Sequence, residues 1–215
     1  MKFFLVYHGL LPGSGNKPKP DVVRDIRDKF HPQLDHLWKV NATLRRLRQA
    51  AIVPKGDNVG LAVSDTPFYE GRDVDAYPAR EDEVDLCAPI DQSGKLYIPL
   101  VRGSLQLNCH LSITFLRQED PGSLVLQGGD LDNRIKTLFD ALRMPDPFVQ
   151  TSYPQAQNPT YCLLESDSLI SGFDIRTGRL LFPSSDNHHH EVHLSIEVAI
   201  DVLKVGEWNI PLIGN

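Results

Sequence analysis

Two stretches of the chain alternate apolar and polar residues without a break, and they limit the possible folds more than any other feature. Leu105, Leu107, Cys109, Leu111, Ile113 and Phe115 are interleaved with Gln106, Asn108, His110, Ser112 and Thr114. Val192, Leu194, Ile196, Val198, Ile200 and Val202 are interleaved with Glu191, His193, Ser195, Glu197, Ala199 and Asp201. Successive side chains on a strand point to opposite faces, so each stretch reads as a strand with one apolar and one polar face. Such strands belong to a sheet covered by helices on one side and open on the other.

The covering helices are also visible. Val22, Val23, Ile26 and Phe30, then Leu34, Leu37 and Trp38, then Leu44 and Leu47 recur at helical spacing. Pro32 lacks an N–H and is expected to separate two helices there. A further helix is expected over about 132–143, where Leu131, Ile135, Leu138, Phe139 and Leu142 share one face. Residues 3–8 read as a first strand. Shorter strands are expected at 96–100, 161–165, 168–175 and 179–182, the last two forming a hairpin through Arg176-Thr177-Gly178. Gly9 to Pro20 is turn-rich but has no Gly-Lys-Ser/Thr at a helix start, so it reads as a connector rather than a phosphate cradle. The expected fold is α+β: a single domain over 1–215 with a small mixed sheet and helices mainly on one face. An irregular acidic excursion interrupts it at about 55–95.

Three cysteines at scattered positions, Cys87, Cys109 and Cys162, make neither a disulfide framework nor a C-x-x-C zinc pair. A reducing compartment follows from that usage. The apolar start, Met1 to His8, is too short for a signal peptide, and no stretch approaches the ~18 apolar residues of a membrane span. The expected location is the cytoplasm. The net charge of −6 argues against a uniformly basic nucleic-acid surface, but the charge is uneven. Residues 17–49 hold nine Lys or Arg against four Asp, whereas residues 57–91 hold ten Asp or Glu against two Arg. The basic block could face DNA, or both segments could be solvated faces.

The segment with the most chemistry is Asp130-Leu131-Asp132-Asn133-Arg134-Ile135-Lys136-Thr137-Leu138-Phe139-Asp140-Ala141-Leu142. Asp130 and Asp132 follow Gly128-Gly129 and open the helix. Two carboxylates in that setting can share one hard divalent cation, which prefers carboxylate and water oxygens. Lys136 lies one turn beyond Asp132 on the same side, where a cation can stabilise charge on a phosphoryl oxygen. The alternative is a helix N-cap with a second acid favoured by the helix dipole. Capping needs one of the two acids and does not require Asn133, Lys136 and Asp140 on the same arc.

This run resembles the central motif of the RusA family of Holliday junction endonucleases. In that family an acidic pair follows at a strand end, with Gln and an aliphatic residue after it. The matching stretch here is Glu165-Ser166-Asp167-Ser168-Leu169-Ile170, with Ser166 in place of the first acid and Leu169 in place of Gln. The resemblance covers about 130–170. It implies a Mg²⁺-dependent endonuclease that acts as a homodimer on branched DNA, the four-way junction above all. It further implies Asp130, Asp132 and Asp167 as metal-binding or catalytic carboxylates and Lys136 as their basic partner. Asn133 and Asp140 would organise the site, and Glu165 could join it. The alternative is a RusA-like module of weak or no activity that binds DNA or a protein partner.

Other candidates carry less. His188-His189-His190-Glu191-x-His193 is rich in metal ligands, with His189, Glu191 and His193 on one strand face, but it reads more simply as a polar loop entering a strand. Cys109 reads as a core thiol. Ser166 lacks the setting of a hydrolase nucleophile. His110 and His193 read as sheet-face residues, and Trp38 and Trp208 as packing residues.

Overall fold

The computed structural model describes residues 1–12, 20–55, 79–118, 130–148, 157–181 and 191–213, with Asp130 described by its backbone alone. The chain is α+β. It begins with β1 (Lys2–Leu10), α1 (Pro20–Val40), α2 (Ala42–Ala50), β2 (Ile52–Pro54), β3 (Glu83–Asp85), β4 (Ile90–Gln92) and β5 (Lys95–Val101). There follow β6 (Leu107–Arg117), α3 (Asp130–Leu142), β7 (Thr160–Leu164), β8 (Ile170–Arg179) and β9 (Glu191–Val202). Short 3-10 turns cover Gly103–Leu105, Asp167–Leu169 and Glu207–Leu212.

The main sheet has the order β1-β9-β6-β8. β9 is antiparallel to both β1 and β6, whereas β6 and β8 are parallel, so the sheet is mixed. Smaller sheets, β4-β5-β7 and β2-β3, flank it. The alternation has the expected consequence. Cys109, Leu111, Ile113 and Phe115 of β6 and Val192, Leu194, Ile196 and Val198 of β9 are buried in the core. Ile26, Phe30, Leu34 and Trp38 of α1 and Ile135, Leu138, Ala141 and Leu142 of α3 join the same cluster. His110, Ser112, Thr114, Ser195 and Glu197 face the other way, onto the open side.

Pro32 does not divide α1, contrary to the expectation from sequence. The apolar stripe runs through it, with Ile26 and Phe30 before it and Leu34 and Trp38 after it, and burial of that stripe outweighs one missing hydrogen bond. The break comes at Asn41, whose Oδ1 caps α2 by accepting from the Leu44 N–H. The hairpin expected at Arg176-Thr177-Gly178 is also corrected. β8 continues through it, pairing Thr177 with Phe115 and Gly178 with Leu116. Gly178 is there for space: a Cβ would lie 2.9 Å from the Leu116 side chain. Of the excursion at 55–95, residues 79–95 supply β3 and β4, and 56–78 lie outside the described residues.

Buried arginines join the helices to the rest of the fold. Arg27 of α1 donates from Nε to the Arg143 carbonyl at 3.0 Å and from Nη2 to the Asp140 carbonyl at 2.6 Å. These are carbonyls that the end of α3 leaves without helical partners. Arg134, almost fully buried, donates to the Leu11 carbonyl just past β1. Arg102 binds the carbonyls of Pro99, Leu86 and Ala88. Replacing Arg27 with Met should keep the hydrophobic contact but strand the two α3 carbonyls, lowering unfolding stability by about 2 kcal/mol in urea denaturation. An unchanged urea midpoint would contradict that role.

Cys87, Cys109 and Cys162 are unpaired and buried, and burial pushes each thiol up to about 12. Thiolate is the reactive form. A colorimetric thiol assay at neutral pH should therefore register essentially none of the three thiols in native protein and all of them after denaturation.

Candidate active site

The motif helix forms as its pattern requires. Ile135, Leu138, Ala141 and Leu142 are buried, and Asp132 and Lys136 are exposed on the opposite arc. Thr137 turns its hydroxyl back to the Asn133 carbonyl at 2.8 Å. Asp140 sits at the far end of the helix, where Oδ1 takes hydrogen bonds from Arg143 Nε and Nη2 at 3.2 and 3.0 Å. Asp140 therefore organises the α3 C-terminus, not its start. The side chain of Asp130 lies outside the described residues.

Asp167 lies elsewhere. It opens the 3-10 turn that leads into β8, and Ser166 caps that turn, its Oγ accepting from the Ser168 N–H. The neighbouring Glu165 uses Oε2 to accept the Gly103 N–H at 2.8 Å, tying the end of β7 to the turn before β6. Three contacts fix how α3 lies. Arg134 reaches Leu11, whose neighbour Leu10 pairs with Glu191, one residue from the Val192 that pairs with Arg117 at the end of β6. Phe139 packs edge-on against Phe173 with ring centroids 5.2 Å apart. The N–H of Met144, just past the helix, donates to the Leu164 carbonyl at 2.8 Å.

Helix α3 thus runs antiparallel to β6 and β8. Its first turn lies toward the end of β8, and Asp167 lies before the beginning of that strand. With a rise of 1.5 Å per helical residue and 3.3 Å per strand residue, Asp132 and Asp167 are separated by about 20 Å. By that estimate Asp167 and the start of α3 stand toward opposite ends of β8 within one chain, and the convergence of Asp130, Asp132 and Asp167 on one ion remains an expectation from the sequence. Among the described residues no three His, Cys, Asp or Glu side chains are grouped to hold a metal ion. Asp132 is exposed at the helix start, and the sequence puts Asp130 in the same turn; Mg²⁺ commonly takes one or two protein carboxylates and fills its shell with water.

The sequence did not single out a second polar site, on the open sheet face. Ser112 Oγ donates to Asp174 Oδ2 at 2.6 Å, and His110 Nε2 lies 3.2 Å from the same oxygen. Gly172, opposite His110, makes room: a Cβ there would lie 3.0 Å from the imidazole. Phe4, Thr114, Arg176 and Glu197 complete an open groove of about 220 Å³. The signal was partly legible, since alternation put His110 and Ser112 on the polar face. Asp174 lay within the expected strand 168–175, but its pairing with Ser112 comes from the parallel register of β6 and β8, which the sequence does not specify. The hydrogen bonds from Ser112 and His110 hold the Asp174 carboxyl below the usual carboxylate range. A depressed carboxylate contributes stability above its ordinary range and loses that contribution as pH falls through its folded-state value. Ser112→Ala should therefore move the Asp174 midpoint upward in an NMR pH titration, and an unmoved midpoint would refute the assignment.

Glu191 pairs with His8 at 3.2 Å, and His193 stacks near His8 with ring centroids 5.9 Å apart, whereas His188 to His190 lie outside the described residues. Trp38 and Trp208 are buried. Among the described basic residues of 17–49, Arg24 faces Asp21, Asp25 and Asp28, Lys39 faces Asp35, Arg27 is internal, Lys29 donates to the His8 carbonyl, and Arg45 and Arg46 are exposed on α2. No helix among the described residues is long and apolar enough to cross a membrane. Comparison with protein-family models, with curated proteins and with solved structures finds no match to the chain.

Proposed function

We propose that the protein is a metal-dependent endonuclease of the RusA type that hydrolyses phosphodiesters of branched DNA. The observation that carries this reading is the exposed polar arc of α3, where Asp132 and Lys136 stand clear of the core at one end of the sheet. Asp130 and Asp132 would hold Mg²⁺. The ion supplies Lewis-acid polarisation of a phosphoryl oxygen and a more acidic bound water. Lys136, one turn on, would stabilise the negative charge that grows on the non-bridging oxygens. The RusA reading includes a cytoplasmic homodimer that cuts opposed strands of a four-way junction. It also assigns Asp167 to the catalytic carboxylates. With Asp167 at the far end of α3, that assignment would need the carboxylate to come from a second copy.

One specific observation favours a second reading. The distance of Asp167 from Asp132, together with the use of the Glu165 carboxylate as a structural anchor, suits a RusA-like module that binds DNA or a protein without cutting. Mg²⁺ titration by calorimetry separates the two readings, since heat of binding that disappears in Asp132→Asn supports the enzyme.

The direct test is cleavage of a synthetic four-way junction beside duplex and single-stranded controls. Wild type with Mg²⁺ should cut the junction. Asp132→Asn and Lys136→Ala should each lose roughly a hundredfold or more in rate without loss of fold. The reading fails if wild type cuts none of the substrates, or if Asp132→Asn cuts as fast as wild type.

A further inference from the structure

The polar face of the main sheet carries a further set of ligating side chains, on β1 and β9 at the end nearest Leu11. His8 and His193 are direct cross-strand partners. Residues opposite each other on an antiparallel pair hold their Cβ atoms about 5 Å apart and project to the same face. The two imidazole centroids are 5.9 Å apart. Glu191 lies two residues before His193 on β9 and shares that face. Its Oε1 is 3.2 Å from His8 Nε2. The backbone beneath His8 is held from both sides. β9 pairs with it on one side, and Lys29 of α1 donates from Nζ to the His8 carbonyl at 2.9 Å on the other. Gly9 keeps room for that lysine, since a Cβ there would lie 2.5 Å from Lys29 Nζ. His8 is exposed, and Glu191 and His193 are half-buried beside it.

We propose that His8, His193 and Glu191 bind a borderline divalent transition-metal ion, Zn²⁺ above all, at a site separate from the Mg²⁺ site proposed for α3. Two imidazoles and one carboxylate, with water in the remaining position, are a donor set that suits Zn²⁺. Mg²⁺ favours a shell made of oxygen alone and discriminates against this one. Zn–N bonds of about 2.0–2.1 Å in a tetrahedral shell put two ring centroids about 5 Å apart. The side chains stand in a metal-free arrangement, with Glu191 engaged by His8, so the three do not converge on one point. Metal binding exchanges the His8–Glu191 contact for a bond from each to the ion. It brings the rings together by about 1 Å, which a turn of the His193 side-chain torsions supplies while the paired backbone stays in place. The ligands come from strands near the two ends of the chain, so the ion ties β1 to β9 and stabilises the folded state by mass action. The site rests on strand register and not on the nuclease reading, so its failure would leave Mg²⁺ binding by Asp132 untouched.

Calorimetric titration of the full chain with Zn²⁺ tests the proposal. Wild type should bind the ion. His8→Ala and His193→Ala should each weaken the tightest Zn²⁺ binding roughly tenfold or more, and Glu191→Gln by a smaller factor. His36→Ala, on the exposed side of α1, should leave it unchanged. In an NMR titration of wild type, the imidazole signals of His8 and His193 should move together over the first equivalent of Zn²⁺. That measurement decides even if a variant fails to fold. A wild type that binds no Zn²⁺, binding as tight in His8→Ala and His193→Ala as in wild type, an equal loss in His36→Ala, or His8 and His193 signals that stay in place while Zn²⁺ binds would each overturn the site.

Discussion

Parallel pairing of β6 with β8 is the constraint from which the rest of the architecture follows. Parallel neighbours cannot be joined by a tight turn, so the chain must leave one end of the sheet and return to the other. Helix α3 lies on the return, and β7 follows it in sequence before β8 begins. Arg134 holds the first half of α3 to Leu11, Phe139 seats it on Phe173, and Arg27 closes its last turn. With both ends fixed, residues at the beginning of α3 and residues just before β8 stand at opposite ends of one layer. The separation of Asp132 from Asp167 is thus a consequence of topology, not of side-chain conformation.

Much of this was legible in the sequence, for identifiable reasons. The alternation in β6 and β9 has period two and an unbroken apolar face, which only a one-sided sheet satisfies. The helical face of α3 was clear because Ile135, Leu138 and Leu142 align at 100° per residue. Two local rules failed where tertiary contacts outweighed them. Pro32 was tolerated because the apolar stripe of α1 continues across it. Thr177-Gly178 looked like a turn, yet Gly178 is a small residue beneath Leu116 in a strand that continues. Asp174 was not readable as a site residue, because its partners Ser112 and His110 lie 62 and 64 residues away in sequence. The first motif of the candidate site was readable as a contiguous helix face. The relation of Asp167 to it was not, because that depends on the direction in which α3 crosses the sheet.

The polar faces of the molecule separate into distinct environments. The start of α3 presents exposed Asp132 and Lys136. The open sheet face presents His110, Ser112 and Asp174 in a hydrogen-bonded set on β6 and β8. Within α1, Arg24 and Lys39 answer acids on their own helix. Local pairing of this kind means that net charge over a segment is a poor guide to the potential a polyanion would meet.

The direction of the crossover sets how far apart Asp132 and Asp167 stand within one chain. Spin labels on Asp132→Cys and Asp167→Cys measure that separation directly, since the native thiols are buried and held protonated. Labelled protein would be diluted into unlabelled protein so that only pairs within a chain contribute. Pulsed dipolar spectroscopy should return a distance centred at about 20 Å, as the rise of α3 and the course of β8 require. A distance below about 10 Å would place the two carboxylates in one site and contradict the antiparallel crossing of α3 on the sheet.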